Sequence, residues 1–316
     1  MGCLLAFPLV VLLAGPTFAQ VLPSASQAPP TSHTRHHDYT FGQGYYQADS
    51  QGGVYAWGNA TSYGSVYSES NNSSHQDAQA WFGAKVVAIT GTNTVDSGYW
   101  VVSSNGWICS FGSVGNAAGG TWYPTTYNFC WPELSGVSDI VGAVATGDNG
   151  GIFLVGSDGG VFAFGDAAFE GSEGSSGLHT FAGIAVDGDA GYWLVTSAGA
   201  VYSFNLPYHG GLSSGPSHPI VGFTGYSTTG YWMAGTDGGI YAFPTGGGGA
   251  PFEGSTGSTA LPNPVVGMAA SPDLQGYWIG ATDGGLFAFG DAIYNGSMLN
   301  ATLANGATMV GIADSV

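Results

Sequence analysis

The chain has almost no basic side chains. Its 316 residues contain only Arg35 and Lys85 against 20 Asp and Glu, which gives a formal net charge of −18. Nucleic-acid binding is excluded, because neutralising phosphate groups requires a surface rich in Lys and Arg. Attachment to an anionic membrane surface is excluded for the same reason.

Long apolar runs are also missing. No segment reaches the ~18 uninterrupted apolar residues of a membrane-spanning helix, so no membrane insertion is expected. The apolar run from Cys3 to Ala14 is too short to span a bilayer, and small residues up to Ala19 follow it. This pattern is typical of a secretory signal peptide over residues 1–19. It predicts a secreted, extracellular protein.

Cysteine is scarce, with three residues in the chain. Removal of the signal peptide leaves Cys109 and Cys130. An even pair in an exported chain predicts a disulfide, which contributes ~3 kcal/mol in the chain-entropy model. Two buried free thiols are the alternative, and two thiols are too few for a closed zinc site, which takes four ligands.

Residues 20–41 contain Pro, Ser, Thr and His without apolar periodicity. They predict a flexible lead-in. His33, His36 and His37 are chemically suited to a transition metal, but imidazoles without fixed geometry are usually solvated. We therefore expect no metal site and no cofactor.

A phrase of about fourteen residues recurs through the rest of the chain, and its best copies read GYWLVTSAGAVYSF, GYWMAGTDGGIYAF and GYWIGATDGGLFAF. Six copies begin at Gly44, Gly98, Gly151, Gly191, Gly230 and Gly276. Their spacing of about 40 to 54 residues suits a propeller blade of four strands.

Each copy predicts a β-hairpin, because Asp-Gly between aromatic and β-branched runs favours a tight turn. The runs are apolar on both faces, as in Val161-Phe162-Ala163-Phe164. A strand buried on both sides has this pattern, and a blade packed between two other blades is buried on both sides.

A third piece, such as Val266-Gly267-Met268-Ala269, precedes each hairpin except the first. Its last copy, Val310-Gly311-Ile312-Ala313, has no hairpin after it. The two unmatched pieces predict an all-β, six-bladed β-propeller over residues 42–316, closed by the C-terminal strand joining the first blade. Closure leaves no unpaired sheet edge, and a monomer is expected.

The elements GYW, DGG(V/I/L)(F/Y)AFGDA, F-x-G-S and (V/A)VG(I/M)A resemble the tandem repeat of a group of secreted bacterial propeller-repeat proteins, mostly uncharacterised. The resemblance covers roughly residues 42–316. It implies the propeller fold and an envelope or glycan setting, and it carries no shared catalytic motif. The first two copies depart from the pattern, since Asn59 and Ser113 stand where later copies have Asp166 and Asp291.

The connections that follow the first and second hairpins are longer than the others. Loops held by a rigid scaffold concentrate binding and catalysis. The second connection contains Trp122, Tyr123 and Trp131, which the predicted bond between Cys109 and Cys130 would fasten to the blade. Because aromatic rings stack on the apolar faces of sugars, we predict that these three residues bind ligand. The alternative is that they form a small core of the loop.

These patterns predict a secreted binding module for a carbohydrate or cell-envelope polymer. The alternative is a glycoside hydrolase or polysaccharide lyase, since glycoside hydrolysis uses two carboxyl groups ~5 Å or ~6.5–9.5 Å apart. The candidate catalytic carboxylates in or beside the long connections are Glu69, Asp77, Glu133 and Asp139. A second alternative is a structural surface or matrix protein.

Overall fold

The computed structural model describes residues 43–68, 76–91, 98–114, 129–131, 134–244, 248–301, 303 and 306–315. The predicted signal peptide (1–19) and the whole predicted lead-in (20–41) with its histidines lie outside these ranges. Four of the predicted site residues also lie outside them: Glu69, Trp122, Tyr123 and Glu133.

The described residues form an all-β fold with two short helices. The strands are β1 (Gly44–Asp49), β2 (Val54–Gly58), β3 (Val86–Gly91), β4 (Gly98–Ser103), β5 (Ile108–Gly112), β6 (Phe129–Trp131), β7 (Ile140–Ala145), β8 (Gly151–Gly156), β9 (Val161–Gly165), β10 (Phe181–Val186), β11 (Tyr192–Thr196), β12 (Val201–Phe204), β13 (Ile220–Gly225), β14 (Tyr231–Gly235), β15 (Ile240–Phe243), β16 (Val265–Ala270), β17 (Gly276–Ala281), β18 (Leu286–Gly290) and β19 (Met309–Ser315). A 3₁₀ helix (Val66–Ser68) and α1 (Ala78–Phe82) lie between β2 and β3.

The strands pair into six antiparallel sheets. We number them by their order in the chain: sheet 1 (β19-β1-β2), sheet 2 (β3-β4-β5-β6), sheet 3 (β7-β8-β9), sheet 4 (β10-β11-β12), sheet 5 (β13-β14-β15) and sheet 6 (β16-β17-β18). The expectation of an all-β fold with six repeated sheets is confirmed.

The six copies of the recurring phrase form hairpins, as predicted, and each hairpin supplies the second and third strands of its sheet. In the turns of sheets 3, 5 and 6, the carboxylates of Asp158, Asp237 and Asp283 accept the N–H two residues further on, at 2.7, 3.0 and 2.9 Å. The glycine between them has positive φ, 76° at Gly238. Asp-Gly-Gly is favoured because the turn needs both the side-chain acceptor and this backbone conformation.

The VG pieces form the first strands of the sheets. These strands contact one another in the order β19, β3, β7, β10, β13, β16, and β16 also contacts β19. Their backbones come close together. At Gly222 of β13, a Cβ atom would lie 3.0 Å from the backbone nitrogen of Met268 in β16. A residue without a side chain at this position therefore allows the first strands of neighbouring sheets to approach.

The expectation of four strands per sheet is wrong for five of the six sheets, since within the described ranges only sheet 2 has a fourth strand. In the other sheets, the segment after the third strand forms hydrogen bonds from its backbone to side chains and not to a neighbouring strand. In sheet 5, the indole Nε1–H of Trp232 donates to the carbonyl of Pro251 at 2.6 Å. Proline has no N–H with which to continue a strand pairing.

A buried tyrosine at the second position of the phrase joins its sheet to the preceding one in every sheet except sheet 3, where Ile152 stands at that position. The hydroxyl of Tyr277 donates to the carbonyl of Gly254 at 2.7 Å and accepts the N–H of Glu253 at 3.1 Å. Tyr192 and Tyr231 make the same pair of contacts to the F-x-G-S segments before them. Burial raises the pKa of Tyr277 to about 12, so its hydroxyl remains a donor. We call this contact the tyrosine latch.

The same latch occurs between the first and last sheets. The hydroxyl of Tyr45 donates to the carbonyl of Gly296 at 2.6 Å and accepts the N–H of Asn295 at 2.9 Å. β19 pairs antiparallel with β1, with Tyr46 opposite Ala313. Residues more than 200 positions apart in the chain therefore share one sheet and one latch.

Tyr277→Phe and Tyr45→Phe should each lower the free energy of unfolding by about 1–3 kcal/mol, because each leaves a buried carbonyl and N–H without their partner. Urea unfolding measures the loss. Tyr208→Phe is the matched control, since this side chain is 62% exposed and should be neutral. A latch variant as stable as the control would contradict the role given to the hydroxyl.

Deleting residues Met309 to Val316 should cause a large loss of stability or aggregation. The deletion removes the partner of β1 and leaves its hydrogen-bonding edge exposed. Thermal unfolding and size-exclusion chromatography on the truncated chain test this. A truncated chain that remains monomeric and equally stable would show that β19 is dispensable.

Candidate functional site

Cys109 in β5 and Cys130 in β6 lie directly opposite each other and form a disulfide. Both are buried. The predicted disulfide is confirmed, and it fastens β6 to sheet 2 as the fourth strand. The bond links β5 to this fourth strand, which the other sheets do not have within the described ranges.

Trp131 is the only one of the three predicted ligand-binding aromatics within the described ranges. It lies in β6, is half-buried and packs against the core cluster that contains Trp100 and Ile140. At least part of its indole therefore contributes to packing between sheets 2 and 3. Ligand binding by this loop stays a prediction.

Two of the four predicted catalytic carboxylates are described, and each has a structural contact. Asp77 is the N-cap of α1, and its carboxylate accepts the N–H of Ala80 at 2.8 Å. Asp139 precedes β7, and its Oδ2 accepts the hydroxyl of Ser157 at 2.9 Å. Capping and turn contacts of this kind stabilise local structure. Catalysis by these residues stays a prediction.

The first long connection ends against the hairpin turn of sheet 2. The ring of Phe82 in α1 stacks on Trp107 with their centroids 4.8 Å apart and their planes at 17°. Trp81 lies 6.1 Å from the same indole. The described part of this connection is thus a packed element rather than a solvated loop.

Sequence reasoning missed a repeated set of exposed aromatic side chains in the F-x-G-S segments of sheets 3 to 6. Their exposed fractions are 59%, 62%, 60% and 51% for Phe169, Tyr208, Phe252 and Tyr294. We call these four residues the rim aromatics. The signal was present in the sequence, since an aromatic residue stands two positions before the latch glycine in each of these segments.

The backbone that carries the rim aromatics is fixed on both sides. The residue after Phe252 donates its N–H to Tyr277, and Gly254 gives that tyrosine its carbonyl. Gly254 has φ 133°, and a Cβ there would lie 2.7 Å from the ring of Phe289. Glycine is required at this position, and the backbone around it is held by the latch. An exposed ring on such a backbone loses little conformational entropy when a ligand binds to it.

A cavity of about 580 Å³ lies among the first strands, lined by residues from all six sheets. Its wall includes one residue from the same position of each first strand: Ile89, Ala143, Ile184, Phe223, Met268 and Ile312. We call these six residues the apolar girdle. Two carboxylates, Asp187 and Asp314, also line the cavity.

The carboxyl group of Asp314 lies deep in the molecule and reaches solvent through the cavity. Burial raises its pKa to about 6, and its own backbone N–H opposes part of the rise. Burial also raises the pKa of Asp187. Among the described residues that line the cavity there is no Lys, Arg or His. Both carboxylates therefore lack a positive partner.

Two further aspartates form a pair at the edge of sheet 6. The hydroxyl oxygen of Ser271 lies 2.9 Å from Asp273 Oδ1 and 3.2 Å from Asp291 Oδ1. Burial, together with the hydrogen bond from Asp273 and its charge, raises the pKa of Asp291 to about 7. Burial opposes ionisation of Asp273 too, but hydrogen bonds from Asp291 and Ser271 lower its pKa. One proton is shared between the two carboxyl groups.

Sheet 3 repeats this arrangement. Burial and the charge of Asp148 raise the pKa of Asp166, while the N–H of Gly150 lowers that of Asp148. Asp166 and Asp291 occupy the same position of the GDA element. Carboxyl pairing is therefore a feature of the repeat wherever both aspartates are present.

Within the described ranges, no helix has the length and apolar character needed to cross a bilayer. Those ranges also contain no group of three or more His, Cys, Asp or Glu side chains arranged to hold a metal ion.

No protein-family model matches the chain, and no curated protein matches it. Among solved structures, the chain is similar to one titled "Crystal structure of Nidogen/Laminin Complex", with a TM-score of 0.53 and 10% sequence identity over 87% of this chain and 99% of the matched chain. At this identity the likeness shows the fold alone. It agrees with six radially repeated sheets, a propeller-like fold.

The chain should be more stable at pH 5 than at pH 8. The folded-state pKa of Asp291 is about 7, above its usual 3.8, so its contribution is fully present below about 3.8 and is lost as the pH rises through about 7. Asp166, Asp187 and Asp314 act in the same direction. Asp291→Asn, which stays neutral, should reduce the decline.

Urea unfolding at both pH values measures the effect. Glu173→Gln, which removes a charge outside the pair, is the control and should keep the full decline. If Asp291→Asn shows the same decline as Glu173→Gln, the shared proton does not contribute to stability.

Proposed function

We propose that the chain is a secreted, extracellular binding module whose rim aromatics bind a glycan or another cell-envelope polymer. The observation that carries the proposal is the presence of four exposed aromatic rings at the same position of four consecutive sheets. Exposed apolar groups that recur at fixed positions on a rigid backbone are typical of an interaction surface.

The repetition favours a polymer as the ligand. A chain of identical units can occupy several equivalent sites at once, and each site after the first binds at a raised effective concentration. A small molecule would gain nothing from the other three positions. Weak contacts at single rings are thus sufficient for useful overall affinity.

The chemistry around the rings favours a neutral glycan. Each rim aromatic is followed by a polar side chain, which is Glu170, His209, Glu253 or Asn295. These groups are suited to hydrogen bonds with sugar hydroxyls, beside a ring that stacks on the apolar sugar face. The net charge of −18 repels polyanions, so an uncharged polysaccharide fits better than an acidic one.

We also infer that the six sheets form a closed six-bladed β-propeller. Three observations support closure: the pairing of β19 with β1, the contact of β16 with β19, and the tyrosine latch of Tyr45. Secretion is supported by the disulfide, which persists in oxidising compartments. A closed ring holds the rim aromatics at fixed angles around one axis.

Replacing Phe169 and Phe252 together by alanine should weaken polysaccharide binding at least about tenfold, because aromatic anchors carry much of the binding energy where the ligand covers them. Stability should not change, since both rings are mostly exposed. Binding is measured on a glycan array and by co-sedimentation with insoluble polysaccharides. Leu178→Ala, which removes an exposed apolar side chain away from the F-x-G-S position, is the control.

The same experiment separates the alternatives. Absence of binding to every polysaccharide, or unchanged binding by the double variant, would contradict the proposal. Self-association that the double variant abolishes would indicate a matrix protein instead. Release of reducing sugar from a bound polysaccharide would indicate the hydrolase.

A further inference from the structure

The wall of the central cavity combines polar and apolar groups. Each first strand lies at the edge of its sheet, so alternate N–H and C=O groups on its free edge have no partner in a β-ladder. The side chains of the apolar girdle lie among them. A ligand in the cavity thus meets hydrocarbon as well as hydrogen-bonding groups.

The two cavity carboxylates come from opposite positions in the series of first strands. Asp314 lies in β19, and Asp187 directly follows β10. In the contact order of the first strands, β19 and β10 are three steps apart in either direction. Both groups line the cavity, and Asp187 is about one residue further along its strand towards the connection with the second strand.

Neither carboxylate is compensated by a cation among the residues that the structure describes. Apart from the backbone N–H of Asp314 itself, no described group donates a hydrogen bond to either side chain. The lining contains the hydroxyl side chains of Thr90, Thr224, Ser227 and Ser271 besides small and apolar residues, and its described part contains no cation. Removing carboxylates from water without a positive partner is costly, so a positively charged ligand would remove an unfavourable feature of the empty cavity.

The size and lining of the cavity distinguish between kinds of cation. A cavity of about 580 Å³ is far larger than a metal ion needs, and two carboxylates are fewer than the oxygen ligands that Ca²⁺ takes. The apolar girdle would be unused by an inorganic ion. It suits a hydrocarbon body attached to the charge.

We infer that the central cavity binds a small organic cation, with an ammonium group between Asp187 and Asp314 and a hydrocarbon part against the apolar girdle. This site is separate from the rim aromatics. It would operate whether or not the rim binds a glycan, and its two carboxylates occur once in the chain rather than in each repeat.

Isothermal titration of the full chain with n-hexylamine at pH 8 tests the inference. Saturable binding is expected, and hexan-1-ol, which has the same hydrocarbon body without the charge, should not bind. Asp187→Asn and Asp314→Asn should each weaken hexylamine binding roughly tenfold, since each removes a charge-assisted hydrogen bond. Glu173→Gln, which removes a carboxylate outside the cavity, should bind as the parent chain does.

A second variant tests the cavity independently of charge. Ala143→Phe adds volume to the girdle and keeps both carboxylates, and it should block hexylamine while thermal unfolding verifies the fold. Failure of hexylamine to bind the parent chain, equal binding of hexan-1-ol, or unchanged affinity in both aspartate variants would overturn the inference. Binding of calcium chloride that both aspartate variants abolish, without binding of hexylamine, would also overturn it in favour of a metal ion.

Discussion

At five of the six sheet boundaries, the arrangement of the sheets depends on a buried tyrosine hydroxyl, while sheet 3 has Ile152 at that position. Neighbouring sheets share no β-ladder. Besides apolar packing, one backbone hydrogen bond joins each first strand to the hairpin turn of the preceding sheet, as from the N–H of Val265 to the carbonyl of Thr236 at 2.8 Å. The hydroxyl of Tyr277 gives that packing a direction, because it must meet both a carbonyl and an N–H of the preceding sheet. The latch also fixes the F-x-G-S segment, and through it the position of each rim aromatic.

Local patterns in the sequence were sufficient for the hairpins, the first strands and the disulfide. Asp-Gly-Gly turns and doubly apolar runs depend on neighbouring residues, and the Cys109–Cys130 pair follows from there being no other cysteine after the apolar N-terminal run. The prediction of a fourth strand in each sheet was wrong for a non-local reason. Trp232 and Tyr277 form hydrogen bonds with backbone groups that an outer strand would pair with. The residues of the F-x-G-S segment itself do not indicate these partners.

The central cavity was beyond sequence reasoning for a related cause. Asp187 and Asp314 stand at different positions of different repeats, where other copies have unrelated residues. Their relationship comes from the contacts among the first strands, to which β10 and β19 belong, and not from any spacing in the sequence. The rim aromatics differ from the cavity carboxylates, because they recur at one position of the repeat. Their exposure in the structure makes that recurrence meaningful.

The scarcity of Lys and Arg gives the carboxylates a distinctive chemistry. Without cations nearby, they are satisfied by backbone N–H groups, as at Asp158 and Asp283, or by sharing a proton, as between Asp273 and Asp291. Proton sharing raises one pKa of each pair, and this favours the folded state in acid. Asp187 and Asp314 have neither kind of contact with another residue, and both line the central cavity. Most aspartates of the described chain thus have hydrogen-bond partners in other residues of the protein. The two carboxylates of the central cavity do not, and a bound cation would stabilise them.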